Sequence, residues 1–208
     1  YPEASFIAEC KIEIADIYYK EWKYELARET YLDVLNKYNI NHEICENAVR
    51  GLMEVYTALN KPDEATKLAE THSCVQISAD EKENLYYNPA LKEYNDSSFS
   101  NAIGKFEKYI ATFPEGKFIN EAFYFIANCY KKTGQDSLSI EAYKKLAKRP
   151  ANIYSEFAAG IVANELYNTK KHGFAIIYYE ILEQVATKPS SIFNAQLGMM
   201  RTSYLLNK

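Results

Sequence analysis

Residues 12–35, IEIADIYYKEWKYELARETYLDVL, carry two apolar stripes separated by a polar break. Ile14, Ala15 and Tyr18 make the first stripe; Leu26, Ala27, Thr30, Tyr31 and Val34 make the second, at the i, i+3, i+4 spacing of one helix face. The break falls at Lys20-Glu21, so the stretch reads as helix, turn, helix.

The unit recurs. Positions 1–34 lie over 113–146 without a gap, with Pro2/Pro114, Phe6/Phe118, Ile7/Ile119, Ile14/Ile126, Ala15/Ala127, Tyr18/Tyr130, Leu26/Leu138 and Tyr31/Tyr143 among the identical pairs. The small residue of the second helix recurs as Ala27, Ala65, Ala102, Ser139 and Ala175, at steps of 38, 37, 37 and 36. The aromatic four places later recurs as Tyr31, Phe106, Tyr143 and Tyr179, with Ala69 as the exception. In the first helices A-x-x-Y stands at Ala15/Tyr18 and Ala127/Tyr130, with Met53/Tyr56 and Ala163/Leu166 as variants. A fixed step of this kind is the signature of a solenoid, because a generic bundle has no reason to repeat its sequence.

Composition agrees with long helices and short turns. Of 208 residues, 48% are hydrophobic, enough for a continuous core, while only seven are Gly and six Pro. A net charge of −4, evenly mixed along the chain, gives no footprint for nucleic acid. No apolar run approaches the ~18 residues of a membrane span. Tyr1-Pro2 aligns with Phe113-Pro114, the end of one unit, so the sequence reads as a fragment of a longer array. The lack of a targeting segment is then silent about compartment.

Predicted helix pairs are 3–20 with 23–37, 43–59 with 62–73, 80–95 with 98–112, 117–133 with 136–147, and 152–169 with 173–187, followed by a lone helix at 190–206. The unit boundaries fall at about 1–38, 39–76, 77–113, 114–150 and 151–188, with a terminal helix at 189–208. Asn88-Pro89 lies inside the fifth helix and predicts a kink or a late start near 89, since Pro lacks an N–H and clashes with the preceding turn.

These residues resemble the tetratricopeptide repeat (TPR). The segment YNDSSFSNAIGKFEKYIATFPEG at 94–116 is the closest match, with its small–x3–aromatic run and closing Pro. The resemblance implies an all-α, right-handed superhelical solenoid of antiparallel helix pairs. The 36–38-residue period exceeds the usual ~34. That excess and the FPEG-type junctions resemble the bacterial envelope branch, which includes the lipoprotein of the outer-membrane β-barrel assembly machinery and the Tol-associated periplasmic coordinator.

The resemblance also implies which first-helix positions face a concave groove. They are Ile12, Asp16 and Tyr19; Arg50, Glu54 and Thr57; Tyr124, Asn128 and Lys131; Gly160, Asn164 and Tyr167; and Leu197, Arg201 and Tyr204. The polar and aromatic members, namely Arg50, Glu54, Tyr124, Asn128, Lys131, Asn164, Tyr167, Arg201 and Tyr204, are the candidates for binding a peptide or partner domain. An ordinary wet helix face explains them equally well. The basic clamp that some members use for C-terminal carboxylates is absent, its places holding residues such as Tyr124, Ile161 and Gly198.

No set of residues points to catalysis. Cys10, Cys45, Cys74 and Cys129 show neither CxxC nor metal-ligand spacing and read as unpaired thiols, with Cys10 and Cys129 as small core residues. His42, His72 and His172 each fall near a helix end. There is no Gly-rich phosphate loop and no GxSxG. No metal and no cofactor is expected, and the chain is not expected to be an enzyme.

Two functions remain. One is a protein-interaction scaffold, with a place in cell-envelope assembly; the other is a structural spacer within a larger envelope protein. An array cut inside a repeat also predicts end-to-end self-association. For location, the envelope resemblance predicts a periplasmic or outer-membrane-associated protein carrying an export signal or lipidated cysteine. Four unpaired thiols favour the cytoplasm instead.

Overall fold

The structure, a computed structural model, describes residues 2–38 and 41–207. Tyr1, Asn39, Ile40 and Lys208 lie outside the described residues, and with them the expected Tyr1-Pro2 junction and the boundary at 38/39. Eleven helices account for nearly all the described residues, among which no strand occurs. They are α1 (Pro2–Lys20), α2 (Tyr24–Lys37), α3 (His42–Ala58), α4 (Pro62–Thr71), α5 (Ala79–Asn95), α6 (Phe99–Thr112), α7 (Ile119–Lys132), α8 (Asp136–Ala147), α9 (Ile153–Asn168), α10 (His172–Val185) and α11 (Pro189–Leu206). Each predicted helix is present, with ends within about two residues of the sequence reading. None of the described helices is long and apolar enough to cross a membrane.

The chain forms two compact units that divide between Pro89 and Ala90. In the first, α2 packs between α1 and α3, and α3 carries α4. In the second, α7 lies between α6 and α8, α9 packs on α7, α8 and α10, and α11 closes on α10 and α9. Within the units, α3, α7 and α9 each touch their own second helix, the second helix before them and a neighbouring first helix. That is the stacking of a helical repeat, and the fold is TPR-like. The recurring small residues sit where helices approach most closely, and Ala27, Ala65, Ala102, Ser139 and Ala175 are all buried. The aromatics Tyr31, Phe106, Tyr143 and Tyr179 fill the grooves beside them and are buried too.

One turn geometry repeats five times. Trp22, Asn60, Ser97, Gly134 and Lys170 all have φ between 59° and 76°, and each stands five residues before the small residue of its second helix. At each, the next residue donates its N–H back five places, as in Lys23 to Tyr18 at 2.9 Å and Lys61 to Tyr56 at 2.7 Å. The left-handed residue itself donates three places back. These two bonds form a Schellman cap that satisfies the last carbonyls of the first helix. The same cap therefore ends the first helix of all five pairs.

Two expectations need correction. α5 begins at Ala79 and runs through Pro89 to Asn95, so there is no late start. Cys10 is exposed and is not a core residue. On α7, Ile119 and Ile126 are 3% and 4% exposed beneath α6, whereas their repeats Ile7 and Ile14 on α1 are 45% and 44% exposed. Cys10 belongs to that same uncovered face, while its counterpart Ala122 is buried. Cys129 does lie in the core, where burial pushes its thiol up to about 11.

Candidate functional site

Within the second unit, α9 and α11 diverge around a cavity of about 990 Å³. Successive turns of α9 aim Phe157, Gly160, Asn164 and Tyr167 into it, at the i, i+3, i+4 spacing of one face. α11 contributes Ser190, Asn194, Leu197 and Arg201 from the other side, and Tyr124 of α7 forms the far end. The apolar wall is a run of rings: Tyr124 lies 5.5 Å from both Tyr154 and Phe157, and Phe157 lies 6.1 Å from Tyr143.

Tyr179 closes the floor. Its hydroxyl donates to Oδ1 of Asn164 at 2.9 Å, and its ring passes against Gly198 of α11. A Cβ at Gly198 would lie 2.3 Å from that ring, so only glycine lets α11 come this close. The same device holds the first unit, where the Tyr31 hydroxyl donates to Asp16 and a Cβ at Gly51 would stand 2.4 Å from the Tyr31 ring. Burial first, and the Asp16 hydrogen bond second, push the Tyr31 phenol upward. In the pair between them, Tyr143 donates to Oδ1 of Asn128 at 3.0 Å, and burial pushes Tyr143 up to about 12. All three tyrosines are therefore neutral donors at any working pH.

A buried carboxylate ties the rim. Glu156 on α9 accepts from the Thr187 N–H at 2.6 Å, from the Thr187 hydroxyl and from the Ser191 hydroxyl, stitching the α10–α11 junction onto α9. Burial alone would raise its pKa. The Ser191 and Thr187 hydrogen bonds outweigh that and hold the carboxyl below its ordinary 4.5, with help from the Lys188 charge. The α8–α9 junction is tied the same way, by Arg149 Nε donating to Asn120 Oδ1 at 2.7 Å on α7.

The candidates from the sequence separate. Tyr124, Asn164, Tyr167 and Arg201 come together in the cavity lining, beside Gly160 and Leu197. Asn128, Lys131 and Tyr204 do not line it. Asn128 is committed internally, with Oδ1 taken by Tyr143 and Nδ2 donating to the Tyr124 carbonyl at 3.0 Å. Arg50 and Glu54 belong to the first unit, where Arg50 pairs with Glu46 at 2.8 Å. Sequence reasoning missed Tyr154, Glu156, Phe157, Lys188 and Asn194. A signal for Glu156 existed: it stands 36 places after Asn120, a polar residue at the same early point of a first helix.

Cysteine pairing is a further correction. Cys45 and Cys74 form a disulfide with Cα atoms 6.0 Å apart, and are not free thiols. Cys45 lies on the first turn of α3 and Cys74 just after α4. The antiparallel α3–α4 hairpin returns the chain to its starting level and brings the two together across 29 residues. His72 does contact a helix terminus, with Nδ1 2.9 Å from the Leu68 carbonyl, and His172 rests edge-on to Tyr167 at 5.5 Å. Among the described residues no group of three or more His, Cys, Asp or Glu stands together as a metal would need.

No protein-family profile and no curated protein matches the chain. Solved structures do. Over 99% of its length the chain is similar to 91% of pilF from Pseudomonas aeruginosa, at 16% identity and a TM-score of 0.42. Over 85% it is similar to 93% of the TPR-like repeats of a putative kinesin light chain from Podosopora anserina, at 14% identity and 0.39. Over 90% it is similar to 97% of MamA, at 12% identity and 0.42. These likenesses concern the stacking of helix pairs.

Proposed function

We propose that the chain is a non-catalytic protein-interaction scaffold that takes a peptide or a partner's extended segment in the cavity between α9 and α11. The observation that carries this is the lining itself. Rings of Tyr124, Tyr154 and Phe157 face Asn164, Asn194 and Arg201 across about 990 Å³. With Asn164 Oδ1 occupied by Tyr179, its amide N–H groups remain to donate. Apolar walls with a few convergent donors are what peptide grooves provide.

A photo-crosslinking residue placed at Tyr167 should give one discrete protein adduct in the native cell, while the same residue at the exposed Phe174 gives none. Equal labelling from both positions, or none from either, would favour the spacer.

The compartment we propose is the periplasm or the outer-membrane surface, with a role in cell-envelope assembly. The Cys45–Cys74 disulfide supports an oxidising home, and burial keeps Cys129 unreactive there. We also propose that the uncovered apolar face of α1, with Phe6, Ile7, Ile14 and Ile17 exposed, takes a neighbouring helix, in a longer array or through self-association.

A further inference from the structure

Charge selects among the segments that the α9–α11 cavity would accept. Its lining holds two cations, Lys188 and Arg201, and one carboxylate, Glu156. That carboxylate is spoken for. Its oxygens receive Thr187 and Ser191, it is buried, and Lys188 already acts on it. Arg201 and Lys188 are both exposed, and neither makes an ion pair with a carboxylate among the described residues. Other cations of the second unit do hold carboxylates: Lys105 holds Glu93 at 2.6 Å, Lys144 holds Glu141 at 2.6 Å, and Arg149 holds Glu115 at 3.0 Å.

Arg201 therefore brings to the cavity a positive charge that no carboxylate of the lining balances. The amide donors there have the same polarity: Asn164 has only N–H groups left, and Asn194 and Asn168 stand on the same lining. An arginine with no carboxylate partner presents a planar fork of donors that fits a carboxylate in two bonds.

We propose that the segment bound in this cavity is acidic, an extended peptide whose Asp or Glu side chain is taken by Arg201. An adjacent aromatic or aliphatic side chain then lies on Tyr124, Tyr154 and Phe157. This rests on the groove reading above and adds the chemistry of the ligand.

The test is selection of random nine-residue peptides displayed on phage against the full 208-residue chain. Parallel selections use Arg201→Gln, Lys188→Gln with Arg201→Gln, and Tyr167→Ala, each first matched to the parent in helicity and melting temperature. The expected result is enrichment of Asp or Glu at one position beside an aromatic or aliphatic residue. In the synthetic peptide, Asp→Asn or Glu→Gln should weaken binding about tenfold or more, the size of a lost charge-assisted hydrogen bond. The double variant should no longer tell the two peptides apart, and added salt should narrow the difference.

Peptides enriched without an acidic position, or an amide substitution within twofold of its parent, would overturn the charge inference and leave the groove standing. No enrichment, or enrichment indifferent to Tyr167→Ala, would overturn the groove reading and this inference together.

Discussion

The Tyr143 hydroxyl donates to Asn128 Oδ1 at 3.0 Å, and fifteen residues separate the two, as they separate Tyr31 from Asp16 and Tyr179 from Asn164. Each bond joins the second helix of a unit to the groove side of its first. Asn128 therefore holds a buried phenol with its oxygen and gives one amide N–H to the Tyr124 carbonyl. The sequence makes it only a candidate for binding a partner.

Asn128→Ala should instead destabilise the protein by about 1–3 kcal/mol, because it strands the Tyr143 hydroxyl in the core. Tyr143→Phe added to it should recover part of that loss. A double-mutant cycle in urea measures both. Additive losses would mean that the bond contributes nothing to stability.

Glycine substitutions should split by position. Nothing lies within 4 Å of a Cβ built at Gly104 in the middle of α6, so Gly104→Ala should stabilise by about 0.5–1 kcal/mol through helix propensity. Gly198→Ala drives a Cβ to 2.3 Å from the Tyr179 ring and should cost about 1–3 kcal/mol. If Gly198→Ala melts higher than the parent, the Tyr179 ring moves aside and α11 does not depend on that close approach.

Trp22 occupies a left-handed position that Asn60, Ser97, Gly134 and Lys170 fill elsewhere, and its side chain is 72% exposed. A bulky L-residue there costs roughly 1–2 kcal/mol. Trp22→Gly should raise the melting temperature, and Gly134→Ala should lower it. A lower melting temperature for Trp22→Gly would show that the ring's packing near Tyr24 outweighs the backbone strain.

What repeats was legible in the sequence, and what occurs once was not. Ala27, Tyr31 and their counterparts recur at 36–38 residues, so a helical period counted on one unit is checked by four others. Asn164, Tyr167 and Arg201 came from the same register and do meet in the cavity. The Cys45–Cys74 bond joins residues that no other unit repeats, and its 29-residue span matches no local motif. Whether Asn128 faces a ligand or a neighbour depends on where the Tyr143 hydroxyl points, which spacing does not encode. Even an in-register identity such as Ile14/Ile126 says nothing of exposure, because α6 covers one and no described helix covers the other.

The disulfide makes a prediction that also tests the compartment. Protein taken from its native cell and denatured in the presence of the alkylating agent should carry the label at Cys10 and Cys129 only, and at all four cysteines when it is reduced first. Reduction should lower the stability of the first unit by roughly 3 kcal/mol, for a loop of this length. Four labelled thiols without reductant would place the chain in a reducing compartment.

Acid should loosen the α10–α11 junction through Glu156. Its carboxyl is held below 4.5 in the folded chain by Ser191 and Thr187 and returns to the ordinary value on unfolding. Between the two values the unfolded chain binds more protons, so stability rises with pH there. The contribution is therefore complete above about pH 4.5 and is lost as pH falls through the lower folded value. Glu156→Gln keeps the shape but removes the charge, and should cost about 1.5–3 kcal/mol at pH 7 for the weakened bonds to Thr187 and Ser191. The gap between parent and variant should shrink as both are unfolded in urea at successively lower pH between 5 and 3. Parallel stability curves across that range would mean that Glu156 does not titrate with folding, and that the junction is held by packing alone.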